Sequence, residues 1–81
     1  MDTRMTLAAL RVRMGYSQEE AAEMLGVSAR TLRKWESDGA TMPIATMGHI
    51  EHVYQYPTDD TFYGNAELFA QELRQTAVQG V

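Results

Sequence analysis

The sequence contains no cysteine. That absence excludes a disulfide and a thiolate metal site as supports for the fold, and it leaves the redox compartment open. Long hydrophobic runs are missing as well. In MTLAALRVRMG, Arg11 and Arg13 interrupt the apolar stretch too early for a secretory leader. No segment approaches the roughly 20 apolar residues of a membrane span. A cytoplasmic protein with no membrane partner is therefore the expectation. Apolar and polar residues nowhere alternate with a period of two, and there is no internal repeat or low-complexity stretch, so a sheet-based fold and a repeat array drop out. Positive charge is scarce in the second half: residues 37–81 carry one base, Arg74, against six acids, while residues 1–36 carry six bases against five acids. The net charge of −4 argues against a polyanionic partner only if the charge is spread evenly, and it is not.

What is present is enough for one small domain spanning residues 1–81. At 44% hydrophobic and 22% charged, the composition is that of a globular chain rather than a disordered or fibrous one. Taking 100° per residue, Leu7, Leu10 and Met14 fall within about 60° of one another, so residues 6–14 read as an amphipathic helix ended by Gly15. Ser17 followed by Glu20 fits a capping box, placing a second helix over 18–25 with Ala21, Ala22, Met24 and Leu25 on one side, Glu19, Glu20 and Glu23 on the other, and Gly26 as its stop. Ser28 is a good N-cap for a third helix running to about Ser37. Only about three residues separate these two helices, which fixes the angle between them. SDGATMP reads as a loop, and Pro43 suits the first turn of a fourth helix that aligns Ile44, Met47, Ile50 and Tyr54 before ending at Pro57. Thr58 is read as the cap of a single turn through Phe62 and Tyr63. Gly64 and Asn65 break the chain again. A last helix, 66–78, aligns Ala66, Phe69, Ala70, Leu73 and Ala77. The expected fold is an all-α compact bundle of five to six short helices.

The third helix separates core from charge. With Ala29 at 0°, Arg33 falls at about 40°, Arg30 at about 100° and Lys34 at about 140°, whereas Trp35 and Leu32 fall at about 240° and 300°. No acid lies among the three cations. Arg bonds a guanine edge in two places and Lys neutralises a phosphate, so DNA is the partner that uses such a face best. The bland alternative is a merely solvated side. A short helix and a tight turn ahead of this one are the usual brace for a rod in the major groove.

Residues 7–56 resemble the lambda-repressor and Cro type of helix-turn-helix domain of phage and bacterial transcription regulators. The resemblance is carried by Gln18, Ala22, Gly26, Val27, Leu32 and Trp35, with LAALR and GYSQEE before them and KWE at the end. It sets a helix-turn-helix core at 5–63 and the two-helix unit at 17–36. It implies a backbone contact by Gln18, with residues 28–36 as the recognition helix. Ser28, Ala29, Arg30, Thr31, Arg33 and Lys34 then face bases or flanking phosphates. Ala29 stands where such domains often carry a long polar reader, leaving it a thymine methyl at most. The resemblance also implies a partly buried bridge between Arg11 and Glu36, each of which borders the apolar side of its own helix.

Other chemistry is not expected. His49 and His52, three residues apart, lack enough companions for a zinc site, and the serines are accounted for as caps. Neither metal, cofactor nor catalysis is expected. The predicted function is sequence-specific binding of a double-stranded DNA operator by a repressor or Cro-like regulator of phage or mobile-element type. The alanine-rich last helix packs on its own domain or builds a homodimer that reads two half-sites. Two rival readings use the same fold: a protein-interaction module acting through the acidic C-terminal half, and an antitoxin.

Overall fold

In the computed structural model, residues 3–79 are described, with side chains through residue 77. Five α-helices make the fold: α1 (Leu7–Arg13), α2 (Gln18–Leu25), α3 (Ala29–Ser37), α4 (Met47–Tyr54) and α5 (Ala66–Gln79). Three single 3-10 turns, Gly39–Thr41, Ile44–Thr46 and Thr58–Asp60, join the later ones.

Local chemistry sets the boundaries of the first three helices. Thr6 caps α1 by accepting from the Ala9 amide at 3.2 Å, so the helix starts at Leu7 and not at Thr6. Ser17 and Glu20 form the reciprocal box at the start of α2, at 3.0 and 2.9 Å. Ser28 accepts from the Thr31 amide at 3.1 Å and opens α3. Between α2 and α3, Gly26 adopts φ +74°, and the amides of Gly26 and Val27 donate to the carbonyls of Glu23 and Ala22. This left-handed turn suits glycine and closes the last helical turn. It leaves three residues to reverse the chain, so α3 is held against α2 at one angle.

Leu7, Leu10, Ala21, Ala22, Leu25, Leu32, Trp35, Met42, Ile50 and Tyr54 form one buried cluster drawn from α1 through α4. Full burial of each large side chain removes its apolar surface from water, a gain of roughly 1.5–3 kcal/mol apiece. Leu32 and Trp35 thereby nail α3 down by one side.

Several expectations need correction. Ile44 does not share the buried side of the fourth helix: it is 81% exposed. Pro43 opens a separate 3-10 turn, Ile44–Thr46, and α4 begins only at Met47, so Ile44 lies ahead of the helix whose buried side Ile50 and Tyr54 define. Thr58 does not cap a turn reaching Tyr63. The turn closes at Asp60, and Thr61–Phe62 (β2) pairs in parallel with Met5–Thr6 (β1). Two residues per strand need no alternation, which is why the pattern gave no warning of them. The last helix keeps its stripe, but the body covers only its beginning: Phe69 is buried, whereas every residue from 71 to 77 is exposed. Asn65 caps it by accepting from the Leu68 amide at 3.0 Å, and Phe69 stacks on Phe62 at 4.1 Å between ring centroids.

Candidate nucleic-acid interface

The candidate surface is built on α3. Its buried side is Leu32 and Trp35, so Arg30, Arg33 and Lys34 are turned outward, and all three are exposed. Among the described residues none of the three side chains has an ion-pair or hydrogen-bond partner. At its N-terminal end Ser28 does two things: its hydroxyl oxygen accepts from the Thr31 amide, and its hydroxyl donates to Thr31 Oγ1 at 3.0 Å. Among the described residues the Thr31 hydroxyl has no acceptor for its own proton. Ala29 is half-buried against the core, so only part of its methyl faces outward.

The one acid of α3 that could neutralise this face points elsewhere. Glu36 carries a side chain only 8% exposed, and its Oε2 accepts from Arg11 Nε at 2.7 Å. Its Oε1 accepts from Arg11 Nη2 at 3.3 Å and from Gln18 Nε2 at 3.0 Å. Arg11 completes the knot by donating from Nη1 to the Tyr16 carbonyl at 3.0 Å. The hydrogen bond to Glu36, with its charge, raises the Arg11 pKa above the ordinary value despite the burial that works against it. One carboxylate therefore joins α1, the turn after it, the start of α2 and the end of α3. The exposed side of α3 is left with three cations and no acid.

Gln18, read as a backbone contact, is thus half-buried with its amide nitrogen already bonded to Glu36. Sequence reasoning did not reach that bond, since the partners lie 18 residues apart on different helices. It also passed over Arg13, which donates to the Tyr54 carbonyl at 3.0 Å and lies 5.2 Å from the Tyr56 ring centroid, pinning α1 to the end of α4. Below the knot, the Tyr54 hydroxyl is buried without a hydrogen-bond partner among the described residues. Burial, ahead of the nearby Glu36 charge, pushes its pKa up to about 12.

His49 and His52 are both exposed on α4, and among the described residues no group of three or more His, Asp or Glu could hold a metal ion. Glu51, between them, accepts from both the amide and the hydroxyl of Thr58 at 2.8 Å, which holds its carboxyl below the usual range. Among the described residues no helix is long and apolar enough to cross a membrane.

Comparison with known proteins gives a family match. A family model described as Helix-turn-helix covers residues 7–60, from the first residue of α1 to the last of the third 3-10 turn. No curated protein matches the chain.

Proposed function

The chain belongs to the lambda-repressor and Cro type of helix-turn-helix family, and from that premise we propose that it is a repressor or Cro-like regulator that reads a double-stranded operator with α3 in the major groove. The observation that carries the reading is the one-sided charge of α3: three cations outward with no partner among the described residues, two core side chains inward, and the helix's acid turned away to Arg11. A nine-residue helix is about 13 Å long, a match for a groove about 12 Å wide.

Each residue has a part. Arg30 and Arg33 read base edges, and Arg suits guanine because two of its donors meet two acceptors there. Lys34 neutralises a phosphate. Ser28 and Thr31 contact the backbone or base edges beside the helix start, Ala29 offers part of a methyl, and Gln18 donates to a phosphate from the start of α2. The regulator acts as a homodimer on two half-sites. The exposure of residues 71–77 of α5 among the described residues supports this, as it leaves the second half of that helix uncovered. Occupation of the operator then blocks or recruits polymerase, in a phage or mobile-element setting.

Selection from a random duplex library tests the proposal. The wild-type protein is expected to enrich one site, and Arg30→Ala with Arg33→Ala to lose that preference while keeping the fold. A double variant that still selects the same site removes the base-reading role from α3. Binding that is insensitive to salt would instead favour the protein-interaction reading, because phosphate contacts release counterions and weaken steeply as salt rises.

A further inference from the structure

The carboxylate of Glu36 does more than join helices. A carboxylate only accepts hydrogen bonds, whereas the end of a glutamine offers a donor on one side and an acceptor on the other. Gln18 can therefore turn only its nitrogen toward Glu36, and it does so at 3.0 Å. That nitrogen carries two hydrogens, of which Glu36 takes one. The carboxylate itself cannot swing, since Arg11 grips both of its oxygens at 2.7 and 3.3 Å and is tied in turn to the Tyr16 carbonyl.

We infer that Glu36 is a positioning residue for the DNA-backbone contact of Gln18: by accepting from Gln18 Nε2 it sets the turn of the amide, so that a phosphate meets a donor already in place. The inference rests on the DNA-binding reading above and adds the device that prepares one of its contacts. A free glutamine side chain presents oxygen as readily as nitrogen, and the oxygen repels a phosphate. Holding one orientation before binding removes that wrong half of the ensemble and the loss of rotamer freedom at the moment of contact. The negative charge of Glu36 does not oppose the phosphate, because the guanidinium bonded to it makes the pair neutral as a whole.

Two measurements test this on the full chain. In the free wild-type protein, side-chain amide relaxation by NMR is expected to find Gln18 ordered while the exposed Gln75 moves freely. A Gln18 amide as mobile as that of Gln75 overturns the inference without any variant. The second measurement is a double-mutant cycle with Glu36→Gln, which replaces an acceptor-only group by one that both donates and accepts, and Gln18→Ala. Affinity for a duplex is read under conditions where every variant is folded. Glu36→Gln is expected to weaken binding roughly two- to tenfold when Gln18 is present, and not to weaken it further when residue 18 is alanine. Equal losses in both backgrounds mean that Glu36 acts only on the fold, and they overturn the positioning role while leaving DNA binding intact. A wild-type protein that does not bind duplex DNA overturns both readings together.

Discussion

Replacing Glu36 by alanine strands Arg11. The guanidinium, with its side chain 16% exposed, loses acceptors at 2.7 and 3.3 Å and keeps only the Tyr16 carbonyl at 3.0 Å. Breaking a buried pair from one side costs about 3–5 kcal/mol, and the surviving carbonyl contact argues for the lower end, about 3 kcal/mol. For an 81-residue domain the whole stability is roughly 4–12 kcal/mol, so this single change removes a large share of it. At about 4–8 °C per kcal/mol for a domain of this size, the melting temperature falls by roughly 12–24 °C. Far-UV circular dichroism melts, paired with urea titrations, read both quantities. The control is Arg11→Met combined with Glu36→Leu, which removes both charges, leaves Gln18 and the Tyr16 carbonyl to water, and is expected to recover most of the loss. Because the bond to Glu36 raises the Arg11 pKa above its ordinary value, Arg11 keeps its charge throughout the alkaline range accessible to the folded protein. A Glu36→Ala protein melting within about 3 °C of wild type would refute the stranded-charge argument.

Tyr54 makes the opposite case, a buried polar atom whose removal should help. Tyr54→Phe deletes a hydroxyl that has no partner among the described residues and is expected to raise stability by about 1 kcal/mol, measured by urea denaturation. The same residue gives an alkaline signature: its folded pKa stands at about 12 against 10 in the unfolded chain, so its contribution is full below pH 10 and lost as pH rises toward 12. The variant should flatten that decline, and an unchanged alkaline slope would rule Tyr54 out as its source. Gly39 is buried, donates to the Gly64 carbonyl at 2.9 Å, and leaves a Cβ only 3.0 Å from Tyr63 Cα. Gly39→Ala should therefore cost about 1–3 kcal/mol, since the obstacle is backbone and yields poorly. A melt indistinguishable from wild type would mean that the 63–64 segment moves aside without cost.

The parts legible in advance share one property: their causes lie within four residues. Ser17 with Glu20, Ser28 with Thr31, and Gly26 with the carbonyls behind it are local devices, and the helices they bound begin and end where those devices stand. The outward turn of Arg30, Arg33 and Lys34 was likewise legible, because periodicity within one helix decides which side the core takes. Ile44 misled because periodicity counts it as part of α4, whereas it sits in a separate 3-10 turn before that helix begins and is exposed. The stripe on α5 is equally suited to its own domain or to a second copy, and the body covers it only as far as Ala70. The bonds of Gln18 to Glu36 and of Arg13 to the Tyr54 carbonyl join residues 18 and 41 positions apart, and no pattern within one element encodes such pairs. The Arg11 bridge was reached only through likeness to a family, since its partner is 25 residues away.

The backbone pairing of Asp38 with Asn65, together with the amide of Gly39 on the Gly64 carbonyl, fastens the foot of α5 beside the tail of α3. A force applied along α5 is therefore delivered to Asp38 and the closing turn of α3, while Leu32 and Trp35 lie between that hinge and Ser28. Cargo pulling on α5 would therefore be felt first at Asp38, two residues from Glu36, and only past Trp35 and Leu32 at Ser28.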